Sequence, residues 1–229
     1  REGSDVVPFA CLPPTIALDD GRDAAEAMAK AKCRLRPVEA FTKATVIIRQ
    51  TARYPIAARH HPPEAFRNSL IAAFTADPLV LCAILNSSLI RALHLSSQRD
   101  GRQLAFPQLK VAHLRALPAP KSGRGFDRLR AQAAIAEEAQ LKRMAAQKAY
   151  GKAPRTAFEV HGDSIQPAPS FTRTLKTEED IQRYRATLEI VDRHWKEAHA
   201  AIQACDEIVF SMYDVSDEER RAVLEALEP

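Results

Sequence analysis

A chain of 229 residues, 46% hydrophobic and 27% charged, is long enough for one large or two small domains with real cores, and it has no apolar run of the ~18 residues that a membrane span needs. Its four cysteines, Cys11, Cys33, Cys82 and Cys205, form no Cys-x-x-Cys pair and no zinc-like Cys/His spacing, so no metal site is expected and the thiols read as reduced cysteines of a cytoplasmic protein. The net charge of +4 divides unevenly: residues 30–155 carry 23 basic and seven acidic side chains, residues 1–29 two and six, residues 156–229 eight and sixteen, so a cationic middle suited to a polyanion lies between acidic ends.

The N-terminus has neither an initiator methionine nor a basic-then-apolar leader, and the chain is expected to start inside a longer protein. Asp5 to Leu18 reads as strand and turn, broken at Pro13-Pro14. Gly21 to Leu35 reads as an alanine-rich helix that stops before Pro37. Thr45 to Gln50, with β-branched Val46, Ile47 and Ile48, predicts a buried strand. Tyr54 to Arg59 suits its hairpin partner or a second extended piece, and Asn68 to Phe74 another short strand. Asp77-Pro78 opens a helix, because Asp accepts from unpaired backbone N–H groups and Pro fits the first helical position. Leu81, Ile84, Leu85 and Leu89 carry that helix to about Leu95. Ser96 to Gln103 is a polar, arginine-bearing loop, and Leu109 to Leu117 predicts a last strand before LPAP.

Phe126 to Tyr150 predicts one long helix, and residues 151–177 read as irregular chain. Thr177 then caps a second long helix, with Glu178, Glu179 and Asp180 where the helix dipole favours them. Ile181, Tyr184, Leu188, Val191, Trp195, Ala198, Ile202, Cys205, Val209 and Met212 alternate at spacings of three and four, an a/d seam that calls for a partner. The Phe126–Tyr150 helix, folded back antiparallel, supplies one. Ser216 and Glu219 form a capping box for a short last helix. The expected architecture is an α/β (α+β) recognition module over residues 1–120. A long antiparallel, coiled-coil-like helical hairpin with a short C-terminal helix follows over 121–229, as spacer or clamp.

Catalytic motifs are missing from the sequence: there is no glycine-rich phosphate loop, GxSxG, HExxH or Walker lysine. His60 and His61 are adjacent, and neighbours on an extended chain point to opposite faces. A hydrolase using either histidine therefore lacks a positioned partner. Asp206-Glu207 and Asp217–Glu219 read as structural carboxylates, and no catalytic residue is expected.

The candidates are cationic and amide side chains at strand ends and loops. Arg49, Gln50, Arg53 and Tyr54 form one group, with Lys43 just upstream. Arg59, His60, His61, Arg67 and Asn68 form a second. Arg99, Arg102, Gln103, Gln108 and Lys110 form a third, beside Ser97 and Gln98. Arginine pairs bidentately with guanine, and Gln or Asn with adenine, whereas Lys and Ser suit phosphate. No acidic residue stands between Glu39 and Glu64. The cations after the Val46–Ile48 strand are therefore expected to face phosphate rather than a protein carboxylate.

In order, VIIRQTARYPIAAR, FRNSLIA, DPLVLCAILNSSLIRAL and FPQLKVAHLRALPAP resemble the TaqI-like C-terminal specificity (target recognition) domain of adenine-specific DNA methyltransferases. These serve type IIG restriction–modification and related phage-defence systems. The likeness covers residues 40–120, and loosely the last thirty, DEIVFSMYDVSDEERRAVLEALE. It implies sequence-specific recognition of double-stranded DNA. Methyl transfer would belong to an upstream domain that binds S-adenosylmethionine and holds a flipped adenine with an NPPY-type motif. Neither motif is present, and HPPE at 61–64 and LPPT at 12–15 do not replace them, so this chain is expected to have no cofactor of its own. Expected partners are double-stranded DNA and the upstream methyltransferase domain, with self-association through the long helices and no membrane. The competing reading is a protein-interaction scaffold built on the 181–212 seam.

Overall fold

The computed structural model describes residues 5–12, 26, 30, 38–62, 64–97, 108–120, 123–151 and 157–227. The Gly21–Leu35 helix lies, but for Glu26 and Lys30, outside them, and so do Arg99, Arg102 and Gln103.

Strands β1 (Val6–Val7) and β2 (Ala10–Cys11) form a small antiparallel pair. Helix α1 (Val38–Lys43) leads into the central sheet of β3 (Val46–Arg49), β4 (Ala57–Arg59) and β5 (Leu70–Ala73). β3 lies in the middle and pairs antiparallel with both neighbours: Val46 stands opposite Arg59 and Ala73, and Arg49 opposite Leu70. The sequence places the three strands correctly. Val46, Ile47 and Ile48 are buried on both faces, as a run of consecutive β-branched residues requires.

Helices α2 (Pro78–Asn86) and α3 (Ser88–Ser97) replace the expected single helix and meet at a bend of 58°. Asp77 caps α2 as expected, accepting from Val80 N–H at 3.3 Å. The break lies at Ser87, whose backbone is extended (ψ 152°) and whose hydroxyl donates to the Ile84 carbonyl and accepts from Ile90 N–H. A serine that bonds its own backbone ends one helix and caps the next. Asn86, just before it, is buried and bonds Ala57 twice: its Nδ2 donates to the carbonyl at 2.8 Å and its Oδ1 accepts the N–H at 3.0 Å. A side-chain amide thus satisfies the edge of β4.

Helix α4 (Val111–Arg115) stands where a last strand was expected. Just before it, Gln108 makes an isolated antiparallel bridge to Thr51, beyond the end of β3, and Leu109 N–H donates to the Gln50 carbonyl at 2.7 Å. Leu114 and Leu117 then turn one half-buried stripe inward at helical spacing.

The long helix α5 (Phe126–Tyr150) has the expected bounds. The stretch read as irregular holds a hairpin, β6 (Phe158–His161) and β7 (Ser164–Pro167), and a short helix α6 (Pro169–Thr172). Its signal was in the sequence: alternating F-E-V-H and S-I-Q-P flank Gly162-Asp163, and Gly162 takes the positive φ of 59° that the turn needs. Helix α7 (Glu178–Met212) is capped by Thr177, and α8 (Asp217–Glu225) carries the Ser216/Glu219 capping box, both as expected.

Helices α5 and α7 pack antiparallel. Gly125 at the start of α5 lies against Ile208 and Met212 at the end of α7, while Arg143 stacks on Trp195 and Arg183 reaches the Tyr150 carbonyl. They do not form a free-standing coiled coil. One core joins Val46 and Ile48 of the sheet, Cys82 to Leu85 of α2, Leu129, Ala133 and Ala136 of α5, and Ala201, Cys205, Ile208 and Val209 of α7. Burial on α7 broadens beyond the seam to Ala201, Ile208 and Phe210, because α2 and α3 pack there as well as α5. The expected recognition module on a coiled-coil spacer, with the self-contained specificity-domain layout it implied, is therefore overturned. The molecule is a mixed α/β fold of three small antiparallel sheets and several helices packed together. At the far end, Tyr150, Phe158, Phe171 and Tyr184 build a separate aromatic core. No single helix among the described residues is long and apolar enough to cross a membrane.

Candidate nucleic-acid interface

The antiparallel register sorts the sequence candidates onto two ends of the central sheet. At the Val46 end lie Lys43, Arg59, His60 and His61, since Arg59 pairs with Val46 and His60 N–H donates to the Thr45 carbonyl at 2.9 Å. At the Arg49 end lie Arg49, Gln50, Arg53, Tyr54, Arg67, Asn68, Gln108 and Lys110. Gln50 N–H donates there to the Ser69 carbonyl at 3.0 Å, and its carbonyl accepts from Leu109 N–H. The second sequence group is thus split, with Arg59–His61 and Arg67–Asn68 at opposite ends.

Two side chains at the Val46 end, Arg59 and His60, turn toward the protein. Arg59 forms a bidentate ion pair with Glu137 of α5, Nε to Oε1 at 2.9 Å and Nη2 to Oε2 at 2.6 Å. The Glu137 side chain is only 8% exposed, and this pair bolts the sheet to the long helix. The expectation that the cations after β3 face no protein carboxylate fails at Arg59. His60 is 3% exposed, its Nε2 lies 3.0 Å from the Phe41 carbonyl, and its ring meets Phe66 edge-on at 5.3 Å. It belongs to the core. Lys43 and His61 are exposed, one turn after Glu39 and beside Glu64, whose N–H donates to the His61 carbonyl.

The Arg49 end is open. Arg53, Arg67, Asn68, Gln108 and Lys110 are exposed, and Arg49, Gln50 and Tyr54 are half-buried. Among the described residues no carboxylate pairs with Arg49, Arg53 or Lys110. The backbone that carries them is fixed: β3 ends at Arg49, Gln50 is held from both sides by Ser69 and Leu109, and Tyr54 supports the guanidinium of Arg91 at 4.8 Å. Guanidinium, amide and ammonium groups on a fixed frame can meet phosphate oxygens and base edges together.

Sequence reasoning missed three residues here, Arg91, His94 and His113. The first two stand on an apolar-looking helix and the third in a segment read as strand. Their spacing in R-A-L-H, three apart on one helical face, was the available signal. Burial, and then the neighbouring His113, push the His94 pKa down.

No family model matches the chain, and no curated protein or solved structure matches it, so the functional reading rests on this surface.

Proposed function

We propose that the Arg49 end of the central sheet binds double-stranded DNA and reads its sequence. It would do so for an adenine-specific DNA methyltransferase of a restriction–modification or phage-defence system, in the cytoplasm. The S-adenosylmethionine-dependent chemistry would reside in a domain upstream of residue 1. One observation carries the reading: three separated segments, 49–54, 67–69 and 108–110, are hydrogen-bonded into one sheet end, where Arg49, Arg53 and Lys110 pair with no carboxylate among the described residues. Backbone phosphates supply that counter-charge, and Gln50, Asn68 and Gln108 supply the amide type that pairs with adenine.

The test is fluorescence anisotropy of the chain with a random-sequence duplex over a salt series. The reading expects binding that weakens steeply as salt rises, because phosphate contacts release counterions. No binding at low salt contradicts it.

A further inference from the structure

The β6–β7 hairpin has one protected edge and one open edge. Opposite residues of an antiparallel pair alternate between those that exchange hydrogen bonds and those whose N–H and C=O point out of the pair. The register sets Val160 opposite Ile165 and Phe158 opposite Pro167. Ile165 N–H donates to Asp192 Oδ1 of α7 at 2.7 Å, and Pro167 has no N–H, so both are outward-pointing pairs. On the β7 side the outward N–H groups are therefore taken or missing. On the β6 side the N–H and C=O of Phe158 and Val160 point out of the sheet, and among the described residues no hydrogen-bond partner meets them. No proline or lysine in β6 blunts this edge.

The open edge is rigidly held and half apolar. The Ala157 carbonyl, just before β6, accepts from Ala168 N–H at 3.2 Å and from the Tyr184 hydroxyl. In the turn, Trp195 Nε1 donates to the Gly162 carbonyl at 3.1 Å. Strand alternation puts Phe158 and Val160 on one face, with Ile165 opposite Val160. Phe158 and Ile165 are buried, whereas Val160, at the edge, is 53% exposed. Glu159 and His161 share the other face, half-exposed and 3.5 Å apart.

We propose that this edge pairs with the same edge of a second copy of the chain, antiparallel about Val160. In that register Val160 exchanges two backbone hydrogen bonds with the partner's Val160, and the two isopropyl groups cover each other. Glu159 then lies opposite the partner's His161, and by two-fold symmetry His161 lies opposite the partner's Glu159. A second copy fits because the strand is complementary to itself in both charge and apolarity. Slipping the pair by two residues centres it on Glu159 and sets two carboxylates opposite each other, which disfavours that alternative.

The test is sedimentation equilibrium of the full chain over a concentration series. Wild type is expected to rise reversibly toward twice the monomer mass. Val160→Pro removes an N–H that the hairpin itself does not use, and is expected to stay monomeric with an unchanged circular dichroism spectrum. Glu159→Lys is expected to weaken association about fivefold. Combining it with His161→Glu exchanges the signs and is expected to restore association. A wild type that stays monomeric at every concentration overturns the proposal, as does association that survives Val160→Pro undiminished. Should Val160→Pro fail to fold, the charge exchange decides: loss and recovery support the edge pairing, and no response to Glu159→Lys overturns it.

Discussion

The two ends of the central sheet are built from the same residue types and do opposite things. Around Val46, an arginine and a histidine follow the strand and turn into the fold, one to Glu137 and the other to the Phe41 carbonyl. Around Arg49, arginines and amides follow the strand and stay at the surface on a backbone tied by Ser69 and Leu109. A cluster of cations in sequence therefore measures only charge. Whether it faces a ligand depends on what the rest of the chain brings opposite it, here a glutamate 78 positions away.

The largest effects should separate the ends through stability. Glu137→Ala leaves Arg59 facing a site built for its partner, and loss of one member of such a pair costs about 3 kcal/mol. Calorimetry should show a Tm about 10 °C lower, with the duplex affinity of the folded protein unchanged. A loss of affinity at unchanged Tm would place Arg59 at the DNA instead. Asn86→Ala should cost about 2 kcal/mol in urea unfolding, since Ala57 N–H loses its acceptor. Its carbonyl keeps Phe9 N–H at 2.9 Å.

At the other end the effect should fall on binding. Arg53→Ala is expected to leave stability within about 0.5 kcal/mol. Duplex affinity should fall about fivefold, near 1 kcal/mol, with a shallower salt slope. A changed Tm with unchanged affinity would make Arg53 structural.

The smallest effect concerns pH. Burial raises the Asp206 pKa, against the hydrogen bonds from Ser88 and the charge of Arg91. A carboxyl whose folded pKa is raised contributes stability that is complete below its unfolded value of about 4 and is lost as pH rises through the folded value. Asp206→Asn should therefore flatten the fall in Tm between that unfolded value and neutrality. An unchanged pH profile would exclude Asp206 as its source.

Much of the fold was legible because its signals are local. β-branched runs mark β3, Asp77-Pro78 marks α2, and Thr177 and Ser216 mark the starts of α7 and α8. The 3–4 seam correctly pairs α5 with α7, but periodicity says nothing of a third layer. Ala201, Ile208 and Phe210 look incidental until α2 and α3 cover them. The α2–α3 break was hidden because Ser87 reads as an ordinary helical residue until its hydroxyl is seen on Ile84 and Ile90. The site was half legible. Residue types pointed to the Arg49 group, but only the register separates it from Arg59 and His60, and only tertiary contact brings in Arg91, His94 and His113.

The most direct test of the account is a paired charge removal read by duplex anisotropy at fixed low salt. Arg53→Ala with Lys110→Ala strips the Arg49 end, and Lys43→Ala with His61→Ala strips exposed groups from the Val46 end. The account expects the first pair to lose at least tenfold in affinity and the second less than twofold, from loss of phosphate contacts at one end only. Equal losses, or a larger loss from the second pair, would contradict it.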